Sequence, residues 1–319
     1  MTLERLSGDP LTVRLVAVEY AARGTNAYGF ERLDGGVMPG AEPGAHIALS
    51  LPNGIERQYS LLKTETSPTR YWAAVKRDPV SRGGSAYIHE HMRVGETLQI
   101  APPRNNFPLA EDAEHTVLFA GGIGVTPILA MARRLQALGR SFEAYYACRS
   151  REDAAFARDL EDAGKTNLHL DDQAGRVFDL AAAVAAAPRS AHLYCCGPNP
   201  MLTAFEAATA GWPSAQVHVE YFSAREAPDT AGGYVVELAR SGRTFEIAPG
   251  KTILDTLRAG GVDVASSCEE GVCGACETKV ISGTPDHRDV ILSPEERAES
   301  KTMFICCSGA KTDRLVLDL

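Results

Sequence analysis

In the first hundred residues short β-rich runs alternate with turns: LTVRLVAVEY, HIALSL, RQYSLL, RYWAAVKR and ETLQIAPP. Gly and Pro punctuate the runs at PGAEPGAH, LPNG and SRGG. Many short strands between turns predict an antiparallel barrel or sandwich. After PRNNFPLA the texture changes. HTVLFAGGIGVTPILAMARRLQALG predicts a buried strand, a glycine turn and an amphipathic helix. SFEAYYACRS, TNLHLDD and AHLYCCGPNPMLTAFEAATA continue the alternation, with helices over 151–163 and 177–187 between them. Strand and helix in turn predict a parallel α/β sheet. The polar stretch SAREAPDTAGG predicts a linker. Beyond it come a hairpin and a helix in YVVELARSGRTFEIAPGKTILDTLRAGG, then a closing strand, RLVLDL. The expected chain is multidomain: an antiparallel β-barrel over 1–108, an α/β domain over 109–225, a linker at 226–232 and an α+β module over 233–319.

Length and composition agree with this division. The 319 residues suit two or three domains, and 45% hydrophobic with 23% charged residues is ordinary for a soluble globular chain. No apolar run approaches the roughly 20 residues that cross a bilayer. MTLERLSGDPLTVRLV has acidic residues and no apolar signal core, so the cytoplasm is the expected address. A net charge of −9 argues against nucleic acid.

Eight cysteines in a reducing compartment do not suggest a disulfide framework. Three of them stand in SSCEEGVCGAC, where Cys268 and Cys273 form C-x4-C and Cys273 and Cys276 form C-x2-C. With a distant fourth cysteine this is the plant-type [2Fe–2S] pattern. Gly271 and Gly274 allow the backbone to wrap closely and aim N–H groups at sulfur. Zinc prefers C-x2-C pairs at both ends of its site, and a redox C-x-x-C belongs at the start of a helix in a βαβ unit. The spacing favours Cys306 as fourth ligand over the adjacent Cys307.

In FAGGIGVTPI, Gly121, Gly122 and Gly124 stand between a buried strand and a helix that Thr126 can cap and Pro127 can open. Such a turn offers backbone N–H groups and a positive helix end to a pyrophosphate. YCCGPNPM follows a later strand and again opens onto a helix. GGxGxTP and CGPxxM in this order resemble the nucleotide domain of the ferredoxin–NADP reductase superfamily. That resemblance implies Cys196 near a nicotinamide, with Gly197, Pro198 and Met201 shaping its slot. ACRSRED places Arg149, Ser150 and Arg151 where the adenosine ribose would lie, without an acidic residue at the strand tip. NADH is expected as the donor, with NADPH as the alternative.

A hydride brings two electrons and a [2Fe–2S] centre accepts one, so a flavin is expected between them. RQYS resembles the superfamily's R-x-Y-S motif, which implies Arg57 on the flavin phosphate, Tyr59 against the ring and Ser60 near its reactive nitrogen, with Gln58 also in the flavin site. YWAAVKRDPVSRGGS matches the following strand and phosphate loop. It implies Ala74, Val75 and Lys76 beside the ring, with Gly83, Gly84 and Ser85 at the phosphate.

With these motifs in order, the whole chain resembles the phthalate dioxygenase reductase and vanillate demethylase reductase family. The resemblance implies a flavin barrel, a nucleotide domain and a C-terminal ferredoxin-like β-grasp domain, with FMN rather than FAD. It also implies that Thr126 contributes to the flavin site and that Phe222 covers the flavin until nicotinamide displaces it. Ser60, Cys196 and Phe222 are the expected catalytic residues, and Cys268, Cys273, Cys276 and Cys306 the expected ligands. The expected function is the reductase of a multicomponent oxygenase, passing electrons from NADH through FMN and [2Fe–2S] to a Rieske non-haem iron partner. A diiron hydroxylase or cytochrome acceptor, or a subunit of a larger dehydrogenase, is the alternative; a monomer is expected. Nine acidic against three basic residues from Asp263 to Glu299 suggest a basic docking face on the partner, with Glu269 and Glu270 as contacts. One departure stands out: Gly309 occupies a position where the family leads one to expect arginine.

Overall fold

The computed structural model describes residues 9–79 and 83–319. The opening residues of the expected flavin domain and residues 80–82 of its phosphate loop lie outside these. The chain forms two compact units, one ending at Phe222 and one beginning at Ser223.

The first unit begins with an antiparallel sheet of β1 (Leu11–Ala22), β2 (Thr25–Arg32), β3 (Ala45–Ser50), β4 (Glu56–Ser60) and β5 (Tyr71–Lys76). The helix α1 (Gly84–His91) follows, then β6 (Thr97–Ile100) and β7 (Arg104–Asn105). The strand order is β4-β3-β6-β1-β2-β5, with β7 on β3. A bridge between Leu61 and Ala73 joins the end of β4 to β5 and closes the barrel. Closure removes the exposed edges that an open sheet would present. Val13, Leu15, Phe30, Ile47, Leu49, Val75 and Ile100 fill the interior with no exposure.

The parallel layer comprises β8 (Thr116–Gly121), α2 (Val125–Ala137), β9 (Phe142–Cys148), α3 (Ala157–Ala163), β10 (Thr166–Leu170), α4 (Asp171–Ala174) and α5 (Leu180–Ala186). It ends with β11 (His192–Cys196), α6 (Asn199–Thr209) and β12 (Val217–Glu220). Its strand order β10-β9-β8-β11-β12 reverses direction between β8 and β11, the switch point where open α/β sheets bind ligands. β8 is buried throughout, as a central strand covered on both faces must be. Ala27, Leu62 and Ala74 from the barrel share one apolar cluster with Leu118, Leu129 and Met131. The expected helix over 151–163 is broken: a short 3-10 turn covers Arg151–Asp153 and α3 begins only at Ala157. Phe156 interrupts it with a left-handed φ of 55°, a conformation that cannot continue a right-handed helix.

The second unit holds β13 (Tyr234–Leu238), β14 (Thr244–Ile247), α7 (Ile253–Ala259), β15 (Glu277–Ser282), β16 (Pro285–Asp286), α8 (Pro294–Glu299), β17 (Thr302–Phe304), β18 (Gly309–Ala310) and β19 (Arg314–Leu317). Its five-stranded sheet runs β14-β13-β19-β15-β17, with β13 and β19 parallel and the other pairs antiparallel. Ile253, Leu254 and Leu257 bury one face of α7 against this sheet's core. A capping box between Thr252 and Asp255 fixes where α7 starts.

Candidate functional site

The second unit gathers four cysteines from two segments: the loop before β15 supplies Cys268, Cys273 and Cys276, and the turn after β17 supplies Cys306. All four are at most 5% exposed. The Cys268 N–H donates to Cys273 Sγ at 3.5 Å and the Glu270 N–H to Cys268 Sγ at 3.3 Å. Cys268 pushes the Cys273 thiol up and Cys306 pushes the Cys276 thiol up, with burial adding to both. The Cys268 thiol is raised as well: the Cys273 hydrogen bond lowers it, but Cys306 and burial outweigh that.

The four sulfurs thus interact as two pairs linked through Cys268 and Cys306. Among the described residues no three metal-ligating side chains converge on a single ion. Two pairs, each able to grip one iron, are what a two-iron cluster needs and a mononuclear site does not. Buried thiols that resist ionisation individually become thiolates once a cation compensates them, so the donor set fits a [2Fe–2S] centre. Cys307 Sγ instead points at Phe304 O (3.6 Å) and Ser308 Oγ (3.8 Å). Gly271 has a φ of +69°, and a Cβ there would stand 2.5 Å from Cys307 Sγ. Glu269, expected as a partner contact, forms a 2.6 Å ion pair with Arg258.

In the first unit, the two glycine motifs touch at the switch point. A Cβ on Gly124 would overlap the Cys196 carbonyl, and one on Gly121 would meet Met201 Sδ at 2.6 Å and Pro198 Cδ at 2.7 Å. Gly197 lies 3.2 Å from the same position on Gly121. Small residues here let the start of α2 and the end of β11 close on one another. Thr126 does not cap α2. The helix begins one residue earlier, at Val125, so Thr126 is already inside its first turn and donates its hydroxyl to Ile123 O at 3.0 Å. Pro127 sits in that first turn, as expected.

Arg57, Gln58, Tyr59 and Ser60 lie on β4. The Arg57 side chain runs beside the N-terminus of α1, where a Cβ on Gly84 would meet Arg57 Cγ at 2.7 Å. Gly83 caps α1 with a φ of 98° and no side-chain bond, and Ser85 Oγ accepts from the Asp78 N–H at 3.1 Å. A guanidinium beside a helix N-terminus suits a phosphate. Ser60 is 4% exposed and its hydroxyl has no hydrogen-bond partner among the described residues, a vacancy that a flavin ring nitrogen would satisfy. Burial pushes the Tyr59 phenol up.

Along β5, Ala74 belongs to the cluster shared with the α/β layer, whereas the Val75 side chain fills the barrel interior. Only the backbone of Val75 remains for a ring, and its carbonyl already lies 2.9 Å from His89 Nε2. The Lys76 amine reaches the glycine turn, 4.0 Å from where a Gly122 Cβ would be.

At the tip of β9, Arg149 is exposed and Ser150 Oγ donates to Asp153 Oδ2 at 3.0 Å. The nearest acidic residues, Glu152 and Asp153, lie beyond the strand tip in the short 3-10 turn. Asp153 is clamped by Arg23 through two nitrogens at 3.0 and 3.2 Å. Phe222, 39% exposed, follows β12 by two residues. A further group was not expected: Glu220 pairs in register with Cys196. Burial pushes its carboxyl up to about 8, the Cys196 hydrogen bond opposing this, and Oε2 has no partner among the described residues. Burial, then Glu220, keep the Cys196 thiol far above its ordinary value. The only sequence signal was an acidic residue at the end of a strand in HVEYF.

A closed antiparallel barrel, a parallel sheet with a nucleotide-type switch point and a four-cysteine module together define an electron-transferring oxidoreductase. A family model described as "2Fe-2S iron-sulfur cluster binding domain" matches residues 236–311. The chain is 51% identical over 311 residues to phenoxybenzoate dioxygenase subunit beta of Ectopseudomonas oleovorans, covering 97% of this chain and 98% of that protein. It superposes with a TM-score of 0.75 and 38% identity on a solved structure titled as phthalate dioxygenase reductase, a modular structure for electron transfer from pyridine nucleotides to [2Fe–2S]. That match covers 97% of this chain and 98% of the other. With a TM-score of 0.85 and 40% identity, 97% of this chain also matches 41% of a type IV self-sufficient cytochrome P450 monooxygenase. The chain belongs to the phthalate dioxygenase reductase family. Among the described residues no helix is long and apolar enough to cross a membrane.

Proposed function

We propose that the chain is the reductase component of a multicomponent oxygenase, oxidising NADH and delivering electrons to a Rieske-type terminal oxygenase. In this reading FMN is held by residues 1–108 and the nucleotide by 109–225. After the linker at 226–232, residues 233–319 carry the [2Fe–2S] centre on Cys268, Cys273, Cys276 and Cys306. The observation that carries the reading is the meeting of Gly121, Gly124, Cys196, Pro198 and Met201 at the switch point. The compact unit that holds them also holds the Arg57–Ser60 strand.

When bound, FMN takes up the two electrons of a hydride and the [2Fe–2S] centre relays them singly. Arg57 and the start of α1 supply positive charge for the flavin phosphate, and Ser60 offers a buried hydroxyl to the ring. Gly121, Gly122 and Gly124 bring the N-terminus of α2 to the pyrophosphate, while Arg149 and Ser150 border the adenosine ribose. Cys196 and Glu220, both protonated near neutrality, keep the nicotinamide slot free of negative charge. Phe222 stands exposed beside it, able to cover the flavin and yield to nicotinamide. The chain acts as a cytoplasmic monomer.

A haem monooxygenase as acceptor is the second reading, favoured by the high TM-score with the self-sufficient P450. Purified protein is expected to release FMN on heating and to reduce cytochrome c with NADH. The Cys273→Ser variant should lose cytochrome c reduction while keeping NADH-to-ferricyanide activity. Colourless protein without NADH turnover after reconstitution overturns the reading, and coupling to a Rieske oxygenase against a P450 separates the two acceptors.

A further inference from the structure

Between β16 and α8 lies a polar knot that the functional reading does not use. Asp289 is 3% exposed, and its Oδ2 accepts from the N–H groups of Ile291 (3.1 Å) and Leu292 (2.8 Å). Arg297 of α8 donates through Nη2 to the Asp289 carbonyl and also lies 3.8 Å from its Oδ2. His287 Nδ1 stands 3.7 Å from Asp289 Oδ1. Asp289 Oδ1, both His287 ring nitrogens and Arg297 Nε are buried without hydrogen-bond partners among the described residues. Buried polar groups left unpaired are costly and call for a reason.

The backbone on either side supplies one. The Arg288 N–H donates to Ser308 Oγ at 3.2 Å, two residues beyond Cys306, and the Val290 N–H donates to Gly271 O at 3.1 Å, inside the Cys268–Cys273 loop. A Cβ on Gly271 would come within 2.9 Å of Asp289 Cα. Three consecutive residues therefore stitch the two cysteine-bearing segments together, and the Asp289 carboxylate fixes their conformation.

We infer that Asp289 is a positioning residue for the cluster: its buried carboxylate holds the turn whose Arg288 and Val290 N–H groups bridge the Cys306 segment and the Cys268–Cys273 loop, and its charge, balanced by Arg297, sets how readily the centre takes an electron. Reduction adds negative charge, which a neighbouring carboxylate opposes and a guanidinium favours. This rests on the [2Fe–2S] part of the proposed function.

The test is a dye-mediated dithionite titration of the full chain, followed by electron paramagnetic resonance, after iron and sulfide are quantified. D289N keeps an oxygen for the Ile291 and Leu292 N–H groups but removes the charge. It should raise the reduced-to-oxidised ratio at fixed potential about tenfold, a shift of about 59 mV for one electron. R297M should shift it the other way. Opposite shifts support the inference, because a purely structural loss would move both variants alike. Shifts in one direction, or none, overturn it. If D289N holds no cluster, R297M alone decides by a downward shift or its absence. A wild-type chain without iron and sulfide overturns the [2Fe–2S] reading and this inference together.

Discussion

Glu220 lies opposite Cys196 where β12 pairs with β11, and the Cys196 thiol shares a hydrogen bond with its carboxyl. The pair forms because two strands separated by α6 meet at the carboxyl edge of the sheet, beside the glycine turn. A carboxyl held at about 8 is protonated at neutral pH and can retain a proton next to the nicotinamide slot.

This makes stability depend on pH in a definite direction. The folded carboxyl binds its proton up to about 8, whereas an unfolded one releases it near its ordinary value of 4.5. The contribution is fully present below that ordinary value and is lost as pH rises through the folded one. Glu220→Gln removes the titration, at most about 5 kcal/mol between the two limits. The melting temperature of Glu220→Gln relative to wild type should therefore increase steadily from pH 5 to pH 8.5, as differential scanning calorimetry would read. A constant difference would place Glu220 in contact with water.

Arg57 brings its guanidinium beside the start of α1, with Nε 3.1 Å from where a Gly84 Cβ would stand. Charge-assisted hydrogen bonds to a charged group contribute about 1.5–3 kcal/mol. Arg57→Ala should weaken FMN retention roughly tenfold to a hundredfold, read by fluorescence of released flavin during equilibrium dialysis. The iron content of the same samples should stay at the wild-type level. Unchanged flavin affinity would remove Arg57 from the phosphate site.

The adjacent cysteines after β17 can be told apart by chemistry. Cys306 interacts with Cys268 and Cys276, whereas Cys307 Sγ is turned toward Phe304 O and Ser308 Oγ. Cys306→Ser should lose the visible absorption of the centre or shift it markedly. Cys307→Ser should keep both absorption and iron at wild-type levels, with a stability loss of about 1 kcal/mol from altered packing. The reverse pattern would exchange the two assignments.

What could be read along the chain was chemistry with a short sequence span. The C-x4-C-x2-C spacing and the glycine turns are local because a cluster loop or a pyrophosphate turn is built from a few consecutive residues. The switch from short β-rich runs between turns to strand–helix alternation likewise marked the barrel and the parallel layer. Contacts made only by folding were invisible. Asp153 answers to Arg23, 130 positions earlier, and Glu220 owes its environment to strand pairing. The acidic count around the cluster loop also overstated the free charge, since Glu269 pairs with Arg258, Asp286 with Arg288 and Glu299 with Lys301, while Glu296 caps α8. Thr126 was misjudged by two residues of helix start, since Gly124 holds the cap position, and such boundaries are what sequence places least well.

Gly309 is explained by a neighbour from the linker. Asp229 lies so close that any Cβ at position 309 would overlap its carboxylate. The Asp229 N–H donates to Cys307 O at 2.7 Å, and Oδ1 accepts from the Ala231 N–H at 2.9 Å. The segment thus folds down beside the Cys306–Cys307 turn and fills the space an arginine side chain would need. Gly309→Arg should displace it and destabilise the chain by about 1–3 kcal/mol, the usual cost of overpacking, with accelerated loss of iron to a chelator. Adding Asp229→Ala removes the carboxylate that overlaps most and leaves only Cβ, 2.9 Å away, so the double variant should recover much of the loss. Chelator kinetics and urea unfolding of the two variants form a cycle with Asp229→Ala. Additive effects would show that Asp229 does not occupy the space beside Gly309 in solution.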